Sequence, residues 1–244
     1  MQNIIHIISK ELFYYFQDHV AYIYISTFLF LMGFLTFFFG SFFEREQLDL
    51  ISFFSFHPWL YLFFIPILTM RTWNNEIKNG TLELQFSMPI YKIHIILGKF
   101  FSYWLIILII LICSFPIWCT VNFLGNPDNN IIINSYLASI LLAGVYISIG
   151  MCISTLFSNN TMIYVINFII IFFFNLLNYP YLLKFINNYF IIDILNLIIN
   201  FSFIKNFDVM IRGIIDIHNI FYFISSIIFW LYLNAIMLKL KILK

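Results

Sequence analysis

The chain has 244 residues, of which 63% are hydrophobic and 9% are charged, and its formal net charge is +1. Soluble domains carry about 25% charged residues, so this composition excludes a water-soluble protein and indicates one that resides in a lipid bilayer. The small net charge gives no sign of nucleic-acid binding.

The first predicted element is an amphipathic helix over residues 1–19. Polar residues occupy one side of it, and Lys10, Glu11 and Asp18 would be costly inside lipid. We therefore predict a helix that lies on the cytoplasmic membrane surface, rather than an early start of the first spanning helix. Apolar residues recur on the other side at spacings of three and four, the period of a helix face: Ile4, Ile5, Ile8, Leu12, Tyr15 and Phe16.

Two apolar stretches follow at residues 20–43 and 53–73, and each has the roughly 20 residues that a spanning helix needs. Pro58 and Trp59 suit the first turn of a helix at the membrane interface. Pro66 lies inside the second stretch, where a proline forms either a hinge or a kink that neighbouring helices accommodate. Both interpretations stay open, and packing is the commoner case.

A polar segment then separates the second stretch from the third. Residues 74–92, which we call the hook, contain Gly80 in a turn, Glu83 in the first turn of a possible helix, and Pro89 as its stop. Thr81 could cap that helix. A strand would have no partner here, and a plain connecting loop would not explain this combination. We predict a short helix, which must pack against something because it is too short to be stable alone.

Four more apolar stretches predict spanning helices at residues 93–123, 131–157, 161–183 and 219–240. We predict hinge or packing positions within the spans at Pro66, Pro116, Gly144 and Gly150. Small residues follow one face of the fourth span, which favours close helix packing over a dimer interface or a conduit: Ser135, Ser139, Ala143, Gly150, Ser154 and Ser158.

The fifth span and the segment after it contain the remaining polar features. Asn167, Asn175 and Asn178 lie near one face of the span, and we interpret them as partners in hydrogen bonds between helices. Polar residues interrupt the apolar run that follows, so we predict re-entrant or interfacial helices on the outer side at residues 184–218. The chain thus reads as one membrane domain, residues 1–244, with an all-α fold of six transmembrane helices.

Orientation follows from the basic residues, which collect in cytoplasmic loops. With the N-terminus inside, four of the 12 Lys and Arg residues lie in outer segments: Arg45, Lys184, Lys205 and Arg212. The other eight lie in inner segments: Lys10, Arg71, Lys78, Lys92, Lys99, Lys239, Lys241 and Lys244. Both termini and the hook are therefore predicted to be cytoplasmic.

Motifs for catalysis and energy conversion are missing from the sequence. It contains no GxxxxGK[ST] phosphate loop, no HExxH motif and no recognisable nucleophile context. No acidic residue or histidine lies near the centre of a predicted span, where ion-coupled carriers place one. We predict no catalytic residue, metal site or cofactor in this chain. If it moves a substrate, the energy must come from another chain through a cytoplasmic contact.

Residues 58–100 resemble the membrane permeases of type-2 ABC transporters, and most closely the group related to gliding-motility permeases. Residues 123–128, 141–150 and 210–223 resemble that group as well. The matching positions are Pro58, Trp59, Pro66, Thr69, Met70, Arg71, Glu76, Lys78, Gly80, Thr81, Glu83, Pro89, Gly98 and Lys99.

The resemblance implies an exporting permease subunit in a bacterial plasma (inner) membrane, in a homodimer or a heterodimer with a second permease. ATP and Mg²⁺ would be bound by a separate ABC ATP-binding subunit, which the hook would contact as a coupling helix. The implied contact residues are Glu76, Lys78, Gly80, Thr81, Leu82, Glu83, Phe86 and Pro89. The alternatives are a non-transporting anchor of a cell-envelope machine and, disfavoured by the apolar spans, an intramembrane enzyme.

Overall fold

The computed structural model describes residues 2–17, 19–40, 42, 49–87, 91–177, 199–214 and 216–242. Within these ranges every regular element is a helix, which confirms the all-α fold class. The helices are α1 (Gln2–Gln17), α2 (Val20–Phe34, continued by a π-helical turn Leu35–Phe39), α3 (Ile51–Ser55), α4 (His57–Thr69), α5 (Asn74–Lys78), α6 (Thr81–Ser87), α7 (Lys92–Cys113), α8 (Phe115–Leu124), α9 (Asn129–Leu156), α10 (Asn160–Leu176), α11 (Phe203–Ile211) and α12 (Ile217–Ile242).

Among the described residues, four helices are long and apolar enough to cross a membrane, and they match predicted spans one, three, four and six: Ala21–Phe39, Lys92–Leu124, Asn129–Leu156 and Ile217–Lys241. At span five, α10 has 17 residues, and the predicted end at residue 183 lies outside the described residues, as does residue 43 of span one. The count of six spans therefore stays a prediction.

The second predicted span is divided at Phe56 into α3 and α4, which have 5 and 13 residues. Pro58 explains where α4 begins, because a proline in the first helical turn lacks only an N–H that would have no partner there. Pro66 lies inside α4 and is buried, and the helix continues past it. The third predicted span turns at Ser114, and Pro116 lies in the first turn of α8.

The central helix is α9, which packs against α4, α7, α10, α11 and α12. Its residues from 142 to 155 are all buried. Small residues make this packing close, because a Cβ atom on Gly144 would lie 2.8 Å from Ile227 of α12. A Cβ on Gly150 would lie 2.6 Å from the Asn167 side chain of α10. Most of the predicted small face is buried in these contacts, whereas Ser158 is exposed.

Neutral polar side chains join α9 and α10 to their neighbours. The Asn167 amide donates to the Thr69 hydroxyl of α4 at 3.2 Å, and the Tyr146 hydroxyl of α9 donates to the Asn175 carbonyl oxygen at 2.7 Å. These are the predicted hydrogen bonds between helices, although Asn178 lies outside the described residues. Of the predicted outer region, residues 184–198 lie outside them too, and α11 packs against α9.

The N-terminal helix α1 is separate from α2. The chain changes direction at His19, whose φ of 57° is in the left-handed region. The side of α1 that bears Ile7, Glu11 and Tyr15 packs on α7 and the end of α4. The apolar side that periodicity had indicated overlaps with this one, because Leu12 and Tyr15 pack against the core. Two of its other members are covered less: Ile8 is half-buried and Ile5 is 61% exposed.

Candidate functional site

Over residues 74–87, the hook forms two short helices, α5 and α6, which meet at a turn formed by Asn79 and Gly80. Gly80 has a φ of +66°, a left-handed conformation that glycine adopts without steric cost. Thr81 is the first residue of α6, and its hydroxyl donates to the carbonyl oxygen of Glu76 at 3.4 Å. The structure therefore has helices here, and not a strand or a plain loop. Pro89, the predicted stop, lies outside the described residues.

A buried cation lies beneath the first half of the hook. Lys99 of α7 is 2% exposed, and its ammonium group donates to the Glu76 carboxylate at 2.7 Å and to the Thr72 carbonyl oxygen at 2.9 Å. The Glu11 carboxylate of α1 lies 3.2 Å from the same nitrogen, and the Trp73 ring centroid lies 4.7 Å from it. We call these five residues the Lys99 cluster. One side chain thus joins α1, α7 and the hook.

Lys99 supplies the positive charge that the two carboxylates of the Lys99 cluster face. Two carboxylates face one ammonium group, and burial raises the pKa of Glu76 while the Lys99 charge opposes that shift. Breaking a buried ion pair by removing one partner costs about 3–5 kcal/mol, because the other charge stays in a medium of low polarity. The cluster therefore fixes the positions of α1 and α5 relative to α7.

Further contacts fix the same two elements. Asn74, the first residue of α5, is fully buried, and its side-chain amide donates to the side-chain oxygen of Asn160 at the start of α10. On α1, the Tyr15 hydroxyl donates to the Leu68 carbonyl oxygen of α4 at 2.9 Å. A Cβ atom on Gly98 would lie 2.7 Å from Ile7, so α1 reaches α7 at a position that only glycine leaves open.

The second half of the hook differs from the first, because the element that α6 contacts most is its neighbour α5. Leu82 is buried, at 6% exposure, and it holds α6 in place. Glu83 and Thr81 are exposed, and so is 67% of the Leu84 side chain. The acidic group of Glu83 lies in the first turn of α6, where the helix dipole favours it. α6 therefore presents an acidic group and an apolar one side by side.

Those predicted contact residues that the structure describes form two sets, one that contacts its own chain and one that is exposed. Glu76 and Leu82 contact their own chain, so they position the hook. The side chain of Phe86 and all of Pro89 lie outside the described parts. The exposed set consists of Lys78, Gly80, Thr81 and Glu83, and the structure adds Leu84 to it.

Sequence reasoning missed the Lys99 cluster as a unit. Lys99 was noted as a position in the permease pattern and as one of the inner basic residues, and Glu11 as a polar residue of the surface helix. The usable signal was the position of Lys99 within the apolar stretch 93–123, because a charged side chain in such a stretch requires a partner.

Comparison with known families gives one match over most of the chain. A family model described as ABC-2 family transporter protein matches residues 60–240. This range includes both helices of the hook, the Lys99 side chain and the central helix α9. No curated protein matches the chain significantly.

Proposed function

Because the chain belongs to the ABC-2 family of transporter proteins and is a membrane permease component, we propose that it is the permease subunit of an ATP-driven exporter. A separate ATP-binding subunit, which holds ATP and Mg²⁺, docks on α6 of the hook. The contact residues are Lys78, Gly80, Thr81, Glu83 and Leu84, with Phe86 and Pro89 beside them. Glu76 and Leu82 support this surface from within.

One observation carries the proposal: an exposed helix with an acidic and an apolar side chain is fixed to a buried ion-pair cluster. A partner that moves α6 also moves α5, because the two helices pack together. The displacement then reaches Lys99, and through it α1 and α7. Conformational changes travel through such contiguous, rigid elements. An enzyme or an inert anchor would not require this connection.

The proposed topology has six spans over residues 20–43, 53–73, 93–123, 131–157, 161–183 and 219–240. Both termini, α1 and the hook face the cytoplasm of a bacterial cell, and residues 184–218 form an outer re-entrant region. The excess of basic residues in the inner segments supports this orientation. Two such permeases, identical or different, assemble around the transport path, with Pro66, Pro116, Gly144 and Gly150 as hinge or packing positions.

Copurification with the ATP-binding subunit tests the proposal. We expect the full-length chain, tagged and purified from its native membrane, to bring down a protein with a phosphate loop, and the complex to hydrolyse ATP. Replacing residues 81–87 by a Gly-Ser linker of equal length should abolish the association while membrane insertion persists. Unchanged association of the linker variant would show that α6 is not the docking element. Copurification without ATP hydrolysis would favour a non-transporting anchor.

A further inference from the structure

A cavity of about 420 Å³ lies next to the Lys99 cluster, between α1, the start of α2, the end of α4 and the hook. Its volume is within the range of small-molecule sites, about 300–1,000 Å³. Of the proposed docking residues, Thr81 also lines this cavity, whereas Glu83 and Leu84 do not. Its walls comprise both charged and apolar side chains, so it could hold an amphiphilic molecule.

The polar wall offers hydrogen-bond donors that the protein does not use. Lys10 of α1 and Arg71, between α4 and α5, both line the cavity and are exposed. Tyr24 of α2 also lines it; this residue is 6% exposed, and its buried hydroxyl has no hydrogen-bond partner within the described parts of the chain. A buried hydroxyl without a partner costs about 1–3 kcal/mol, which a ligand that supplies an acceptor would recover.

The charge of the wall favours an anion. Both carboxylates in it, Glu11 and Glu76, face Lys99, and they are oriented by that contact. Lys10 and Arg71 form no ion pair with any other described residue. A ligand that meets these two cations and the Tyr24 hydroxyl must therefore bring oxygen acceptors and negative charge, and a phosphate group supplies both.

The remaining wall is apolar, with contributions from Ala21 of α2 and from Ile67, Leu68 and Met70 at the end of α4. In the proposed topology this wall begins at the level where α1 lies on the cytoplasmic surface and α2 enters the bilayer. A molecule with a phosphate at the surface and a hydrocarbon chain below it fits this order. Such a molecule is an inner-leaflet phospholipid.

We propose that the cavity binds the phosphate headgroup of an anionic inner-leaflet phospholipid, with Lys10, Arg71 and the Tyr24 hydroxyl as donors. Asn75, Asn79 and Thr81 of the hook line the same cavity, so the bound lipid contacts α1 and the hook together and stabilises their arrangement. The inference rests on the proposed topology and is independent of the ATP-binding partner.

Native mass spectrometry of the full chain tests this inference without any partner subunit. The protein is equilibrated with mixed phosphatidylglycerol and phosphatidylcholine micelles, and the bound lipids are counted. We expect selective retention of phosphatidylglycerol. Lys10→Gln and Arg71→Gln should each weaken it about tenfold, and Tyr24→Phe roughly fivefold. Arg71→Lys should keep most of it, and Lys239→Gln, which removes an exposed cation elsewhere on the predicted cytoplasmic side, should leave it unchanged.

The control arm separates a lipid from a soluble phosphate. Millimolar glycerol phosphate or inorganic phosphate should not displace the lipid; displacement by either would show that the cavity takes a soluble phosphate and would overturn the lipid assignment. Equal retention of both lipids, or equal retention by the wild type and the Arg71→Gln variant, would also overturn it. Unfolding temperatures of all variants distinguish loss of the site from loss of the fold. Failure of partner docking alone would change none of these readings.

Discussion

The two helices of the hook contrast sharply, although they are neighbours in sequence and similar in length. The polar helix α5 is turned inward: Asn74 is fully buried and Glu76 is paired with Lys99. In contrast, α6 leaves Leu84 mostly exposed next to Glu83. From hydrophobicity alone, Leu84 would be buried, and Asn74 and Glu76 would be exposed. The polar half is buried because it finds partners within the chain. In the proposed function, the exposed leucine belongs to the surface that the ATP-binding subunit covers.

The α5 half and the α6 half of the hook therefore have different proposed roles. The α5 half determines where the hook lies, so changes there should appear in the stability of the isolated chain. In the proposed function, the α6 half binds the partner, so changes there should appear only when the partner is present. Each of the following predictions separates these two effects, beginning with the largest.

Replacing Lys99 by methionine should cost about 3–5 kcal/mol of stability, because Glu76 and Glu11 lose their buried counterion. The measurement is the unfolding of the purified chain in detergent. Burial already raises the pKa of Glu76, and without Lys99 the folded state should bind still more protons than the unfolded state. The loss should then shrink as the pH falls towards this raised pKa.

The matched control is Lys78→Met, which removes an exposed cation at the end of α5 and should change stability by no more than about 0.5 kcal/mol. A Lys99→Met protein as stable as the Lys78→Met protein would mean that the cluster does not anchor the hook.

Gly98→Ala should destabilise the chain by about 1–3 kcal/mol, because its Cβ atom would lie 2.7 Å from Ile7 and would force α1 away from α7. The comparison variant is Gly33→Ala in α2, where a Cβ atom meets nothing within 4 Å. That variant should be neutral or more stable by up to about 1 kcal/mol, because alanine favours a helix. Equal changes in unfolding temperature for the Gly98→Ala and Gly33→Ala variants would contradict the close packing of α1 on α7.

Gly80→Ala addresses the joint between the two halves. Its φ of +66° costs an alanine about 1–2 kcal/mol, and the strain should be relieved by a change in the angle of α6. We expect a small loss of stability together with weaker association of the ATP-binding subunit. Gly80→Asn should have a smaller effect on both measurements, because asparagine tolerates this conformation better. Alanine and asparagine variants with identical binding would show that the turn geometry is unimportant.

Leu84→Ala and Glu83→Lys should change the stability of the isolated chain least, by no more than about 0.5 kcal/mol, because both residues are exposed. Their effect should appear in binding. Hot-spot residues near the centre of an interface cost about 2 kcal/mol or more when they are replaced. We expect Leu84 and Glu83 to be such residues, so affinity for the ATP-binding subunit should fall at least about tenfold. Normal copurification by both variants would remove the support for a docking surface on α6.

The sequence predicted the helical elements better than their connections. Apolar composition and length indicated helices along most of the chain, and the Glu83 and Pro89 positions indicated one short helix in the hook. Gly80 marked the turn correctly. The division of the second span at Phe56 was missed, because the apolar composition continues across it. The Lys99 cluster was missed because Glu11, Glu76 and Lys99 come from three separate elements. Periodicity within one segment does not reveal a contact between segments, so only the fold could bring these charges together.

The central claim is that α5 holds the hook and α6 receives the partner. Site-specific photo-crosslinking tests it most directly, with a crosslinking amino acid placed either at Leu84 or at Ile77, which is half-buried in α5. In native membranes, the Leu84 position should crosslink to a separate chain that has a phosphate loop, whereas the Ile77 position should crosslink within its own chain. If Ile77 captures the ATP-binding subunit and Leu84 does not, in membranes where the complex hydrolyses ATP, the two halves of the hook have been assigned the wrong way round.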